Sequence, residues 1–208
     1  KGLEDIGIWN TESGGTSHYT YFGHHASGIT VTRQVAMWES LDCIDDKDVY
    51  FVYQIQTPET DDNNVESWFG LLHGQTVENA YGARLGYLML ANYIAQTENA
   101  VHVDNIKEDD IYVYRHQKPD GSYVAVAYSD ETMKTVTLDL GATEAIQADV
   151  YGNETSIASK DGKYTFTLGD EPIYINWKGD KFERCTDGNI KSEVSYEVTE
   201  QNVAEYVF

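Results

Sequence analysis

The sequence predicts an α/β segment followed by an all-β domain, and two patterns carry that prediction. Up to about residue 100, two short apolar runs alternate with two stretches of helical spacing, an order typical of parallel β/α units. Beyond that point, six short runs rich in β-branched and aromatic residues are separated by turn residues. Strands spaced at about 8–12 residues are typical of an antiparallel β-sandwich.

The α/β segment is predicted to contain two strands and two helices. Residues 6–11 are predicted to form a short buried strand, and the nearly continuous apolar run 49–55 predicts a parallel strand that is covered on both faces. Apolar side chains recur on one helical face over 30–44, with Thr30 as the N-cap, and over 80–96.

The β-sandwich is predicted over 101–178, after an α/β domain at 1–100. The remaining stretch, 179–208, is polar and charged, and it is predicted to be a tail or the start of a further module. The six predicted strands span residues 111–116, 123–128, 135–140, 146–151, 163–168 and 172–177.

The composition excludes several classes of partner. Among the 208 residues, 35 acidic and 14 basic side chains give a net charge of −21, so binding to nucleic acid or to an anionic membrane is not expected. The acidity favours solubility, with salt tolerance or calcium binding as alternatives. No apolar run approaches the ~20 residues that a membrane-spanning helix needs. Tyrosine is abundant, with 16 residues, and its flat apolar ring suits stacking on sugars.

The two cysteines, Cys43 and Cys185, lie far apart in the sequence. They form neither a zinc motif nor a disulfide framework. Free thiols are favoured, and one long-range disulfide is the alternative.

Glu12 is the strongest candidate for chemistry in the chain. It follows the first apolar run and precedes Gly14 and Gly15, which places a carboxylate at the carboxyl end of a predicted parallel strand. Catalytic residues of β/α barrels lie at that edge. By position alone, Glu12 fits a glycosidase nucleophile, a metal ligand or a helix-capping group.

Three segments together resemble clan A glycoside hydrolases. The first, IGIWNTESGG, is similar to the seventh barrel strand, which ends in the nucleophilic Glu. The second, ESWFGLLHGQTVENAYGARLGYLMLANYI, is similar to the loop after the eighth strand and the helix entry that follows, with Glu78-Asn79 in place of Lys-Pro. The third, AIQADVYGNETSIASKDGKYTFTLGDEPIYI, is similar to the closing hairpins of the appended sandwich.

The resemblance implies the last two β/α units of a (β/α)8 barrel followed by an antiparallel β-sandwich. It implies a retaining hydrolase of poly- or oligosaccharides with Glu12 as the nucleophile and no cofactor, because two carboxyl groups perform the reaction. The acid/base Glu belongs to the fourth strand, so the N-terminal half of the barrel is the implied partner. Within this chain, Glu59 and Glu66 are the local carboxylates that could take the acid/base role instead. An extracellular or cell-surface location is expected.

Four residues are predicted to line a carbohydrate site. His18 and Gln56 offer hydrogen bonds to hydroxyl groups, and Tyr19 and Trp68 offer rings for stacking. No metal is expected, because the spacing of the histidines in 18–25 fits no metal motif. The oxygen-rich run 61–64 lacks the spacing of an EF-hand calcium loop.

A second function class also fits the sequence. Two of eight barrel units cannot close a barrel, and an open pair of parallel strands exposes its flanks to pairing. The alternative is therefore a non-catalytic carbohydrate-binding or interaction β-sandwich module that carries a purely structural α/β prefix.

Overall fold

The computed structural model describes residues 6–18, 23–41, 43–44, 47–57, 63–75, 78, 80–130 and 132–185. Tyr19, Glu59, Asp61 and Asp62 lie outside the described residues, as does most of the predicted tail at 179–208.

The first half contains two parallel strands and two helices in the predicted order. Strand β1 (Trp9–Ser13) leads into helix α1 (Gly23–Glu39), and strand β2 (Val49–Val52) precedes helix α2 (Leu85–Thr97). β1 and β2 pair in parallel, with Trp9 opposite Val49. A short 3-10 helix (Val65–Trp68) lies in the loop between β2 and α2.

The predicted bounds of the helices were wrong. α1 begins at Gly23, so Thr30 lies inside the helix, where its hydroxyl donates to the Ala26 carbonyl at 2.8 Å instead of capping an end. The additional first turn is stabilised by tertiary contacts, since Ser27 is buried and its hydroxyl donates to the Gly15 carbonyl at 2.5 Å. α2 begins only at Leu85, because Ala83 just before it pairs with Leu72 in an isolated antiparallel bridge.

Two glycines let α1 and α2 cross at close range. A Cβ atom on Gly28 would lie 2.5 Å from the Met89 sulfur and 3.0 Å from the Gly86 Cα atom. Such distances leave no room for a side chain at the crossing. The crossing therefore depends on the absence of a side chain at Gly28.

We expect Gly28→Val to lower the free energy of unfolding by about 2 kcal/mol, because the added methyl groups overpack the crossing. Urea unfolding followed by far-UV circular dichroism measures the change. Gly169→Val is the matched control, since a Cβ atom there meets nothing within 4 Å. Equal losses in the two variants would contradict the steric explanation.

The second half is a sandwich of two antiparallel sheets. The larger sheet has the strand order β3-β4-β5-β10-β7-β8, and the smaller has the order β11-β6-β9. The strands are β3 (Val101–Glu108), β4 (Ile111–Gln117), β5 (Tyr123–Ser129), β6 (Lys134–Asp139), β7 (Ala145–Ala148), β8 (Glu154–Ile157), β9 (Lys163–Leu168), β10 (Ile173–Trp177) and β11 (Glu183–Arg184).

All six predicted strands of the sandwich are present, and three further strands were not predicted. β3 and β8 are the edge strands of the larger sheet, and their many exposed polar side chains hide the apolar alternation. β11 is only two residues long and pairs with β6. β11 lies beyond residue 178, the predicted end of the sandwich. The domain boundaries at 100 and 178 stay predictions.

The larger sheet is buried on both faces. One face packs on the smaller sheet, where Ala125 and Ala127 of β5 contact a core that includes Phe166. The other face packs on the two helices, where Val124 and Val126 of β5 belong to the cluster that contains Tyr93 of α2. The helices of the α/β unit and the sandwich therefore share one core.

The opposite face of the two-stranded sheet is open. Trp9 is 62% exposed and Phe51 is 43% exposed, and their rings contact each other at a centroid distance of 5.9 Å. The prediction that the strand at 49–55 is covered on both faces was therefore wrong for this chain, since helices cover one face of the sheet and, among the described residues, nothing covers the other. Three isoleucines in the segments that flank the two strands are also exposed: Ile6, Ile8 and Ile55.

Cys43 and Cys185 are free thiols, as favoured by the sequence. Within the described part of the chain, none of the helices has the length and apolar character needed to cross a membrane.

Candidate active site

Glu12 lies in β1, one residue before the strand ends, and its side chain is exposed. The predicted strand over 6–11 was therefore displaced, and Glu12 belongs to the strand itself. Asn10 pairs with Tyr50 and Ser13 pairs with Val52, so three steps along β1 match two steps along β2. An extra residue of this kind is a β-bulge, and it changes the direction of the side chains beside it. It leaves Thr11 and Glu12 exposed together instead of alternating between the faces.

The residues around Glu12 anchor the irregular end of β1. The Ser13 hydroxyl donates to the Asn10 side-chain oxygen at 2.8 Å, and the Tyr53 amide donates to the Ser13 carbonyl at 2.7 Å. Gly14 allows the close approach that follows, because a Cβ atom there would lie 2.1 Å from the Tyr53 carbonyl oxygen. The carboxyl ends of β1 and β2 are thus held side by side.

The loops that leave this edge bring His18 and Trp68 together. The backbone amide and the hydroxyl of Ser17 both donate to the Trp68 carbonyl, at 2.9 and 2.7 Å. The rings of His18 and Trp68 meet edge to face at a centroid distance of 5.4 Å. His18 is only 3% exposed, whereas Trp68 is half-buried. Trp68 therefore presents more ring surface than His18, and sugar binding by either residue stays a prediction.

Gln56 lies on the segment after β2. Its described contacts are with other residues than Trp68 and His18. It pairs with Leu72 in an isolated parallel bridge, and its side-chain amide donates to the His73 carbonyl at 2.9 Å. This contact ties the segment after β2 to the loop before α2. Substrate binding by Gln56 stays a prediction.

The histidines near 18–25 point in different directions. His24 contacts His73 at a centroid distance of 5.7 Å, and the His25 imidazole lies 3.2 Å from the Glu171 carboxylate. In the ranges that the structure describes, no three His, Cys, Asp or Glu side chains are grouped to hold a metal ion.

Arg84 is a component of this edge that sequence reasoning missed. It is 3% exposed, and its Nη1 atom donates to the Ser17 hydroxyl at 2.9 Å and to the carbonyls of Trp68 and Gly70 at 3.0 and 2.9 Å. One signal could have found it: a cation at the start of a helix opposes the helix dipole, so its presence there calls for another partner.

A second polar cluster lies at the other end of the unit. The Tyr93 hydroxyl donates to the Glu39 carboxylate at 2.5 Å, and the His116 Nε2 atom lies 3.7 Å from the same oxygen. Burial raises the pKa of Glu39. Burial, with His102 as neighbour, lowers the pKa of His116 to about 4, so His116 is neutral at pH 7 and the contact with Glu39 is not an ion pair there.

The cluster borders a cavity of about 500 Å³, lined by Glu39, Tyr93 and apolar side chains such as Leu90. It lies at the C-terminal ends of α1 and α2. Helices of β/α units run antiparallel to the strands, so this end is opposite the edge that carries Glu12. Glu12, His18, Gln56 and Trp68 are not among the side chains that line this cavity.

Comparison with known proteins identifies the fold. No family model and no curated protein matches the sequence. A family 39 glycoside hydrolase from the gut symbiont Bacteroides cellulosilyticus WH2 aligns with a TM-score of 0.68 and 18% identity, over 83% of this chain and 34% of that chain. The catalytic domain of GH30 xylanase C from Talaromyces cellulolyticus aligns with a TM-score of 0.51 and 18% identity, over 84% of this chain and 41% of that chain.

This chain spans 34% of the first of these proteins and 41% of the second. These alignments show a shared fold. The chain therefore has the fold of a part of these two glycoside hydrolases.

Proposed function

We propose that this chain is the C-terminal portion of a retaining glycoside hydrolase that cleaves glycosidic bonds in poly- or oligosaccharides, with Glu12 as the nucleophile. The position of Glu12 carries the proposal: an exposed carboxylate at the carboxyl end of a parallel strand, where β/α barrels hold catalytic residues. The fold shared with glycoside hydrolases supports it.

The proposed reaction needs two carboxyl groups. The Glu12 carboxylate attacks the anomeric carbon, and a carboxylic acid about 5–5.5 Å away protonates the departing oxygen. Water then hydrolyses the glycosyl ester on Glu12, with the second group acting as the base. The second group would come from a barrel strand outside this chain, and the reaction requires no cofactor.

The open apolar face supports the proposed partner. Trp9 and Phe51 are each more than 40% exposed on the two-stranded sheet, and exposed apolar surface of this kind marks a site of further packing. The N-terminal half of the barrel would cover it and place the acid/base residue near Glu12. In this full-length enzyme, Tyr19, Trp68, His18 and Gln56 would contact the carbohydrate. Action on polysaccharides fits an extracellular or cell-surface location.

Trapping of the glycosyl ester tests the proposal. We expect the full-length enzyme, treated with 2,4-dinitrophenyl 2-deoxy-2-fluoroglycosides of xylose, glucose and galactose, to gain one sugar per chain with one of these probes. The Glu12 oxygen bonds to the anomeric carbon as dinitrophenolate leaves, and the fluorine slows hydrolysis of the ester. Peptide mass spectrometry locates the label.

Glu154→Gln is the matched control, because Glu154 is exposed on the edge strand β8. It should label fully, whereas Glu12→Gln should not label. A sugar attached to any other residue would show that the nucleophile is misassigned. A protein that binds oligosaccharides without hydrolysing or trapping them would favour the carbohydrate-binding module instead.

A further inference from the structure

We infer that Arg84 is a positioning residue: it fastens the loop after β1 to the loop after β2 so that Trp68 and His18 keep their mutual orientation at the edge that carries Glu12. The inference rests on the proposed function for its consequence on sugar binding. Its structural part concerns only the two loops and their contacts.

One guanidinium nitrogen joins the two loops. Arg84 Nη1 donates to the Ser17 hydroxyl of the first loop and to the Trp68 and Gly70 carbonyls of the second. The Ser17 hydroxyl in turn donates to the Trp68 carbonyl. Arg84 thus closes a small network with Ser17, the neighbour of His18, and with the carbonyls of Trp68 and Gly70.

The second loop is shaped to receive a cation. The 3-10 helix ends at Trp68, and the last carbonyls of a helix lack partners within it. The carbonyls of Trp68 and Gly70 both accept from Arg84, and the Phe69 carbonyl lies 3.4 Å from the same nitrogen. Gly70 has a φ of 78°, and a Cβ atom there would lie 2.9 Å from the Thr57 amide nitrogen, so the turn that aims these carbonyls requires glycine.

Burial raises the energetic cost of losing a hydrogen bond from this network. Arg84 and Ser17 are each 3% exposed. Loss of the guanidinium takes a donor from the part-buried Gly70 carbonyl, while the Trp68 carbonyl keeps its two hydrogen bonds from Ser17. A hydrogen bond lost away from bulk water is costly. The loop at Trp68 would therefore move to regain hydrogen bonds, and the Trp68 ring would lose its edge-to-face contact with His18.

The fluorescence of Trp68 reports this movement in the chain as it stands. Subtracting the emission of Trp68→Phe from that of the parent isolates the Trp68 signal from that of the other three tryptophans. We expect Arg84→Met to shift the Trp68 emission to longer wavelength and to raise its acrylamide quenching at least about twofold, because the loop opens locally. In the Trp68→Phe background the same substitution should change nothing in the emission.

Arg33→Met is the matched control. Arg33 is also a largely buried arginine, with its guanidinium 4.2 Å from the Tyr128 ring centroid and an ion pair with Asp130, and both of these contacts lie in the sandwich. It should leave Trp68 emission unchanged. The Trp68 emission of Arg84→Lys should lie between that of the parent and that of Arg84→Met. A lysine ammonium group carries three donors but lacks the planar fork of the guanidinium group.

Unchanged Trp68 emission in a folded Arg84→Met chain would overturn the inference. If Arg84→Met does not fold, Ser17→Ala decides, since it removes one member of the network and should shift Trp68 emission in the same direction. An unchanged signal in Ser17→Ala would then overturn it.

Kinetics of the full-length enzyme test the consequence for sugar binding. Arg84→Lys should raise KM more than it lowers kcat, because Trp68 binds substrate and does not take part in bond cleavage. Absence of hydrolysis in the unsubstituted enzyme would contradict the proposed function and leave the fluorescence result standing. A fall in kcat alone would contradict the role of Arg84 in substrate binding.

Discussion

Replacing Glu12 with glutamine is expected to lower kcat/KM of the full-length enzyme by about 10⁴-fold or more, as is typical when a covalent nucleophile is lost. Glutamine has nearly the size of glutamate, but its amide cannot form the glycosyl ester. Because Glu12 is exposed at the end of β1, the substitution should leave the fold intact. Initial rates on aryl glycosides measure the loss, and far-UV circular dichroism verifies the fold.

Chemical rescue separates a lost nucleophile from a disturbed site. In Glu12→Ala, azide should enter the space of the missing carboxylate, attack the anomeric carbon from the same side, and yield a glycosyl azide of inverted configuration. Glu154→Gln should retain full activity. Full activity in Glu12→Gln would exclude Glu12 as the nucleophile.

Acidification is expected to destabilise the chain through His116. The pKa of His116 is about 4 in the folded chain, against an ordinary value of 6.5. Between these values the unfolded chain binds a proton that the folded chain does not, so stability falls as the pH drops from 6.5 to 4. A shift of this size corresponds to about 3 kcal/mol of unfolding free energy.

Glu39 acts in the opposite direction. Burial raises its pKa, so the folded chain takes up a proton at a higher pH than the unfolded chain does, and this proton adds stability as the pH falls through that raised value towards 4.5. The contribution of His116 to the pH dependence of stability is therefore measured in a variant that lacks the Glu39 carboxyl group. Glu39→Gln should make the loss of stability on acidification steeper.

Urea unfolding at several pH values between 7 and 4 measures both effects. His116→Asn should flatten the pH dependence over 6.5 to 4. Val113→Ala, a packing change in the same strand, should lower stability by a similar amount at every pH, because Val113 is a buried apolar residue without a proton to exchange. Equal slopes for His116→Asn and the unsubstituted chain would contradict the linkage.

The order of elements and the position of Glu12 followed from local patterns. An apolar run before an acidic residue and two glycines predicted the strand that carries Glu12, and alternating apolar runs predicted the strands of the sandwich core. Such periodicities are visible in sequence because each element buries one face or both. The edge strand β3 was missed for the same reason, since its exposed residues dilute the pattern.

The residues that organise the site were harder to find. Arg84 contacts Ser17, 67 positions earlier in the chain, and the carbonyl of Trp68. The cluster of Glu39, Tyr93 and His116 joins α1, α2 and β4. No local pattern marks such contacts, because the side chains meet only when separate elements pack.

The sequence by itself determined an α/β segment with a carboxylate near the end of its first strand, a β-sandwich behind it, and a strongly acidic chain. These properties depend on neighbouring residues in the chain. Only the tertiary structure decided where the helices begin, which face of the two-stranded sheet is open, and how Arg84 joins the loops of His18 and Trp68. Helix ends, burial and buried hydrogen bonds depend on contacts between distant segments, and those exist only once the elements have packed.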